Sequence, residues 1–508
     1  MDEQLIGVDV GTTGLKAVVV GPDGRLLGQA SAPYDTLRPQ PGWTEQPPEW
    51  WWEACRSVLG ALRAGGALRP EAAIAIGLTG QMHGSVFLDE ADRVVRPAIM
   101  WNDQRTAAEC KEIEQRVGLQ RLIDLTGNRA LTGFTAPKLL WLRKHEPESY
   151  ARTRHLLLPK DYVRLRMTGE RATDVADASG TLLFDVRSRK WSSEVVEAIE
   201  VPPEWLPPAL ESPQVSGRLT PQAASALGLP AGIPVVAGAG DQAAGGVGSG
   251  AVEEGVITAS LGTSGVVFSA TLQPRVDPQA RLHSFCHAAH GLWHLMGVML
   301  AAGGSFQWLA DTLRPLAEGE RMEEKLSVLA AGAPTGSGGL VFLPYLAGER
   351  TPHADPFARG AFVGLRAEHG LPHLARAVME GVAFGLRDSL ELIREMGVSA
   401  TEVRAIGGGA RSRLWRQILA DVFACPVVSL EADEGPAFGA ALLAGIGAEI
   451  FASVSQACHT TIRLAERLEP ERKAVEVYEG LYRRYRELYP LLRDTFHALS
   501  GFDAASGR

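Results

Sequence analysis

Apolar positions alternate into a carboxylate at the head of the chain. Ile6-Gly7-Val8-Asp9-Val10 runs into Gly11-Thr12-Thr13-Gly14, and Leu15-Lys16-Ala17-Val18-Val19-Val20 leaves it. The pattern predicts a β-hairpin with strands at 5–8 and 15–20. Gly21-Pro22-Asp23-Gly24 then predicts a turn into a third strand at 25–31. Residues 42–48 open a helix carrying Trp50, Trp51 and Trp52, a cluster expected to pack in a core. Ile74-Ala75-Ile76-Gly77-Leu78-Thr79 reads as a short buried strand, followed by the loop 80–85 and a returning strand at 86–88. A helix with Pro near its first turn begins within 133–142, and 201–213 is Pro-rich and irregular. Pro234-Val235-Val236-Ala237 leads through a glycine-rich turn into a helix of small residues, with Asp241 expected as its N-cap.

About 250 residues later the opening pattern returns. Val256-Ile257-Thr258-Ala259-Ser260-Leu261 is an apolar strand, Gly262-Thr263-Ser264-Gly265 a turn, and Val266-Val267-Phe268 a second strand. Two such hairpins, each heading one half of the chain, predict a duplicated fold: two α/β lobes, residues 1–248 and 249–508, facing one another across a cleft. Asp9 in the first copy is matched by Ala259 in the second, an asymmetry suited to one metal side and one phosphate side. The second half adds the glycine pair Gly303-Gly304, in or beside a long helix. The apolar strand 403–406 runs into Gly407-Gly408-Gly409 and a helix at 414–423. A helix of small residues is expected from Glu434, and a charged amphipathic helix over 470–495.

Composition narrows the class. A chain of 508 residues exceeds a single core, and 45% apolar with 21% charged residues is ordinary for a globular protein. The net charge of −9 argues against nucleic acid as a partner. Five scattered cysteines suggest neither a disulfide framework nor a zinc site. An acidic start leading straight into a strand lacks the look of a signal peptide, and no run of 18 apolar residues exists, so a cytoplasmic protein without a membrane span is expected.

The polar residues at strand ends are the candidate chemistry. Gly11 and Gly14 let the backbone N–H groups of the first turn approach an anion, Thr12 and Thr13 add hydroxyls, and Asp9 could hold hydrated Mg²⁺ beside phosphates. An ordinary tight hairpin is the alternative. Gln81, Met82 and His83 stand at the end of a buried strand, where α/β folds place ligands. Trp101-Asn102-Asp103-Gln104-Arg105 offers amide, carboxylate and guanidinium groups, or a helix cap at Asn102 or Asp103 with a salt-bridging arginine. Lys138 faces either substrate or solvent. Asp241, at a positive helix end, could serve as a base toward a hydroxyl.

Together these residues resemble the FGGY carbohydrate kinase family over almost the whole chain. The likeness rests on Asp9-x-Gly-Thr-Thr-Gly14, Trp101-Asn-Asp-x-Arg105, the 133–142 segment, Gly240-Asp241, Gly262-Thr-Ser-Gly265 and Gly407-Gly-Gly-Ala410, in family order. It implies two ribonuclease-H-like lobes, as in actin and hexokinase, and phosphoryl transfer from MgATP to a sugar. Within the family, Gln81-Met82-His83-Gly84, Ser284-Phe285-Cys286-His287 and Leu158-Pro159-Lys160-Asp161-Tyr162 are similar to xylulokinases. The Arg-Glu pair and the Tyr of glycerol kinases are absent at 82–83 and 133. The resemblance implies Asp241 as catalytic base, and Asp9 with Asp241 on Mg²⁺. It places Gln81, Met82, His83, Trp101, Asp103, Asp241 and Gln242 on the sugar. Gly11, Thr12, Thr13, Lys16, Gly262, Thr263, Gly303, Gly304, Gln307, Gly408, Gly409 and Ser412 fall on ATP. Gln242 departs from the usual Asn after the base, leaving D-ribulose, L-xylulose or D-arabinitol as alternative substrates. A nucleotide-gated switch on the same superfold is a further alternative. Relatives are usually dimers, and no diagnostic interface patch appears in the chain.

Overall fold

The opening alternation folds as expected. In the computed structural model, which describes residues 3–316, 321–431 and 435–505, β1 (Gln4–Val10) pairs antiparallel with β2 (Gly14–Val20), and β2 with β3 (Leu26–Pro33). On its other edge β1 runs parallel to β4 (Ala73–Gly80). The sheet is completed by β5 (Val215–Arg218) and β6 (Pro234–Val236) in the order β5-β6-β4-β1-β2-β3, and β7 (Ala239–Gly240) continues beside the end of β4. Successive side chains of β1 point to opposite faces. Ile6, Val8 and Val10 pack with Trp51, Cys55 and Leu59 of the helix Pro48–Ala64. Leu5 packs with Ala437, Ala441 and Leu442 of the helix Gly435–Gly447. Burial on both faces is why the strands read as nearly continuous apolar runs.

A second sheet repeats the plan. β8 (Val256–Leu261) is antiparallel to β9 (Gly265–Thr271) and parallel to β11 (Glu402–Ile406). β10 (Trp293–Met299), β12 (Val427–Leu430) and β13 (Leu464–Leu468) give the order β13-β12-β11-β8-β9-β10. In the first sheet β5–β6 is antiparallel, β6–β4 and β4–β1 parallel, and β1–β2 antiparallel. The second has the same directions at β13–β12, β12–β11, β11–β8 and β8–β9. Equal order and equal direction make this a duplicated α/β fold.

The chain forms two compact units: Met1–Glu253 with Ala270–His294 and Glu434–Ile462, and Glu254–Ser269 with Leu295–Asp433 and Arg463–Arg508. A single cut at 248/249 does not describe the return of 434–462 to the first unit. That segment holds the Gly435–Gly447 helix, whose backbone lies so close to β1 and β4 that a Cβ at Gly7 or Gly77 would stand 1.9 Å from the carbonyl oxygen of Ala437 or Ala440. Glu434, expected to begin this helix, lies outside the described residues.

Several local expectations are corrected. Register places Ser260, not Ala259, opposite the role of Asp9. Asp9 pairs with Thr79 one residue before Val10–Gly80, and Ser260 pairs with Ile406, one residue before Gly407. Asp241 is the first residue of the helix Asp241–Ser249 rather than its N-cap, which is Gly240. Neither Asn102 nor Asp103 caps a helix; the next helix begins at Ala107 behind Thr106. Gly303 and Gly304 start an eleven-residue helix, Gly303–Leu313, instead of interrupting a long one. The last helix, Arg472–Ala505, is longer than the periodicity suggested and contains Pro490. No helix among the described residues is long and apolar enough to cross a membrane.

Candidate active site

Three strand ends of the first unit bring the polar residues together. Gln81 continues β4 and donates its backbone N–H to the Val10 carbonyl (2.9 Å). Its side-chain amide reaches the Gly11 carbonyl (3.1 Å), while its Oε1 is buried without a partner. β7 pairs Gly240 with Gly80, which sets Asp241 at the same end of the sheet. A Cβ on Gly240 would meet Met82 Cγ at 2.7 Å, so glycine is required for Met82 to lie beneath this turn. Trp101 Nε1 donates to Thr12 Oγ1 (2.9 Å), tying the 101–105 loop to the hairpin.

The hairpin turn is fixed through its carbonyls. Gly11 O accepts from Tyr34 Oη (2.5 Å) and Gln81 Nε2, Thr12 O from Gln46 Nε2 (2.8 Å), and Thr13 O from the Tyr34 N–H (3.2 Å). A trans peptide is planar, so anchoring a carbonyl on one side aims the next residue's N–H to the other. The N–H groups of Thr12 and Thr13 are thereby turned away from these anchors, the arrangement an anion needs.

Two carboxylates face this turn. Burial pushes Asp9 up to about 7, the neighbouring Asp241 charge adds to the rise, and Lys16, its cross-strand partner, opposes it. Asp9 Oδ1 is buried with no hydrogen bond. Burial likewise pushes Asp241 up to about 6, against hydrogen bonds from the backbone and side-chain amides of Gln242. A mutually repelling pair with an orphaned oxygen suits a hydrated divalent cation.

His83 is held in an uncommon geometry. Its φ of 69° is left-handed, its Nδ1–H donates to the Gly180 carbonyl (2.5 Å), and its ring lies 4.6 Å from that of Phe134. Its own carbonyl accepts from Lys138 Nζ (2.8 Å) and Thr135 Oγ1 (3.1 Å). Lys138 therefore faces neither solvent nor an open pocket. It is fully buried, bonds also to Gly133 O (2.7 Å), and burial drives its pKa down to about 7. Asp103 is buried too, with both oxygens on the Arg105 side chain and further bonds from the N–H groups of Arg105 (2.9 Å) and Thr44 (2.7 Å); Arg105 in turn lies 3.8 Å from the Trp43 ring. Asp103 thus braces the loop carrying Trp101.

The second unit supplies a separate cavity of 1310 Å³. Gly262, Thr263, Gly303, Gly304, Gln307, Gly408, Gly409 and Ser412 all line it. Gly303 and Gly304 donate to the carbonyls of Gly262 (2.7 Å) and Thr263 (3.0 Å), so their N–H groups hold the second hairpin. A Cβ at Gly303 would stand 2.6 Å from Gly262 O. Gly408 faces open space, and the Ser412 hydroxyl caps the helix Arg413–Phe423. Trp308 and Arg411, which no motif singled out, join the lining. Gln46 was likewise unmarked, and Lys138 was expected at substrate or solvent; the structure shows that each holds backbone carbonyls.

The models of the FGGY family of carbohydrate kinases match this chain at residues 4–248 for the N-terminal domain and 257–448 for the C-terminal domain. The chain belongs to the FGGY family of carbohydrate kinases. This FGGY kinase is 42% identical over 488 residues to a xylulose kinase of Escherichia coli (strain K12), covering 96% of this chain and 99% of that protein. It is 39% identical over 498 residues to a xylulose kinase of Bacillus subtilis (strain 168), covering 98% and 99%. Among solved structures, a xylulose kinase from Rhodospirillum rubrum matches with a TM-score of 0.90 and 34% identity, over 97% of this chain and all of that one (100%). An FGGY carbohydrate kinase takes a sugar and ATP as substrates. The first unit here provides two buried carboxylates beside the loop at 81–84, and the second a glycine-lined cavity.

Proposed function

We propose that this kinase transfers the terminal phosphoryl group of ATP to D-xylulose, forming D-xylulose 5-phosphate and ADP. The observation that carries this reading is that Gln81 and Met82, at the end of β4, lie at the same end of the sheet as Asp9 and Asp241, with Gln81 on the Gly11 carbonyl and Met82 against Gly240. The full-length likeness to xylulose kinases supports the choice of sugar. Asp241 accepts the proton of the attacking hydroxyl and aligns its oxygen. A carboxylate raised to about 6 is still ionised at neutral pH and a better base than an unperturbed one. The buried, unpartnered Gln81 Oε1 accepts from a sugar hydroxyl, while Met82, His83 and Trp101 shape the pocket. Asp103 acts through the loop it braces. The Thr12 and Thr13 N–H groups and hydroxyls receive charge on the transferring group.

Asp9 and Asp241 would hold Mg²⁺, which supplies electrostatic stabilisation of phosphate charge. The nucleotide occupies the second unit's cavity against Gly262, Thr263, Gly303, Gly304, Gln307, Gly408, Gly409 and Ser412. Lys16 favours the charged form of Asp9 from across the strand pair, against burial and Asp241, and Gly11 gives the turn its room. A cytoplasmic location goes with this reading, since ATP is the co-substrate. Gln242 donates its side-chain amide to Asp241, and its departure from Asn keeps other ketoses as the second reading.

ADP release from MgATP over a panel of ketoses and polyols tests the assignment. D-Xylulose is expected to give the highest kcat/KM by about tenfold or more, equivalent to about 1.4 kcal/mol. A higher value for D-ribulose, L-xylulose or D-arabinitol reassigns the sugar, and sugar-independent ADP release points to a nucleotide switch.

A further inference from the structure

Gln46 lies outside every motif and contacts neither carboxylate, yet it is completely buried and all its hydrogen-bonding capacity is engaged. Its Nε2 has three acceptors within reach: Thr12 O (2.8 Å), Thr36 Oγ1 (3.1 Å) and Asp35 O (3.2 Å). Its Oε1 accepts from Trp51 Nε1 (3.0 Å) and from Gln81 Nε2 (3.2 Å). One amide thus joins the core helix, the substrate loop and the turn of the first hairpin. The orientation is forced, because Trp51 Nε1 can only donate and Thr12 O can only accept. Reversing the amide would place donor against donor and acceptor against acceptor.

We propose that Gln46 is a positioning residue for phosphoryl transfer, locking the Thr12–Thr13 peptide so that its N–H faces the transferring phosphate. The inference rests on the reading that this turn receives phosphate. Glycines on both sides of the two threonines make the turn easy to rearrange. A flip of the 12–13 peptide would replace an N–H donor by a carbonyl dipole of the wrong sign, and Gln46 Nε2 is the side-chain donor that opposes it. Gln81 shares the same Oε1 and also holds Gly11 O, fixing the preceding peptide. The two amides therefore set both N–H directions from the sugar side of the turn, so that sugar bound on Gln81 and phosphate bound on the turn meet a common brace.

The test compares Gln46→Met with Trp51→Phe. The first removes the donor to Thr12; the second removes one partner of Gln46 but leaves that donor in place. Both disturb the same core, so a purely structural role moves them together. With saturating D-xylulose and MgATP, Gln46→Met is expected to lower kcat by about tenfold or more, the scale of misplacing a reacting group by a fraction of an ångström. KM for the sugar is expected to stay within about threefold, while Trp51→Phe keeps kcat within about twofold. If Gln46→Met does not accumulate as folded protein, Gln46→Leu replaces it with the same expectation, since it too has no donor for Thr12. Unchanged kcat in the Gln46 variant, or an equal loss in Trp51→Phe, overturns the proposal. Absence of sugar-dependent transfer in the unmodified enzyme overturns instead the reading on which it rests.

Discussion

Gly439→Ala provides a sharp test of how Asp241, the proposed base, is held. Gly439 lies in the helix Gly435–Gly447, which packs on the helix that begins with Asp241. An added Cβ would stand 1.9 Å from Ala244 O, 2.8 Å from Ala244 C and 2.9 Å from Gly248 N, all of them backbone atoms. Ordinary contact begins near 3.4 Å, so the two helices must separate locally by the difference, about 1.5 Å. The opposite wall cannot absorb this, because Gly7 and Gly77 already bring β1 and β4 against the same helix at van der Waals limits. Overpacking of this kind costs about 1–3 kcal/mol, and at about 2–4 °C per kcal/mol the melting temperature falls by several degrees. The effect on turnover is expected to be larger in proportion, since Asp241 is one helical turn from Ala244 and a shift of about 1 Å in a catalytic group costs about 100-fold. Thermal melting followed by kcat at 25 °C measures both. Gly60→Ala is the control: nothing lies within 4 Å of its Cβ, and removing a glycine from a helix interior is expected to stabilise by about 0.5–1 kcal/mol with unchanged kcat. Gly439→Ala with native melting and native kcat would refute the packing argument.

Three further outcomes follow from the same structure. Asp241→Asn keeps the size and removes the base, and kcat is expected to fall by at least about 100-fold; near-normal turnover would exclude Asp241 from proton transfer. Glu349 is buried and raised from 4.5 to about 8, with its Oε2 unpartnered. The folded protein holds this proton more tightly than the unfolded chain, so its stabilisation is complete below pH 4.5 and lost as pH rises through 8, by at most about 5 kcal/mol. Melting temperatures across that window should fall more steeply for the unmodified protein than for Glu349→Gln; parallel curves would show that Glu349 does not titrate there. Lys138, lowered from 10.5 to about 7, has the opposite sign: stability rises with pH between those values, and Lys138→Met is expected to remove that slope and to raise the sugar KM by loosening His83.

The fold was legible where local alternation carried it. The hairpin at Asp9 and its repeat at Gly262 follow from a two-residue period broken by glycine and threonine, and the equal strand orders of the two sheets bear out the duplication. The helix at 435–447 was legible as buried, since it is apolar on every side, but not as a part of the first unit. Periodicity reports that a segment is covered; contacts between residues as far apart as Gly7 and Ala437 decide by what. Asp241 was misplaced by one residue for a related reason. A cap and a first-turn carboxylate look alike in sequence, and the distinction lies in where Gly240 leaves the strand direction. Ala259 was a register slip, which strand pairing with β11 resolves in favour of Ser260. Lys138 and Gln46 were invisible in their roles because nothing in a lone lysine or glutamine shows that it will be buried. Both serve backbone carbonyls, and carbonyls leave no mark on sequence.

The most direct test of the central claim is phosphorus NMR of the purified protein with MgATP and D-xylulose, read together with ADP. The account predicts a new phosphomonoester on the terminal carbon of D-xylulose, formed in equal amount with ADP and absent when the sugar is withheld. ADP with inorganic phosphate as the only products, or a phosphate ester formed faster from another sugar than from D-xylulose, would contradict it.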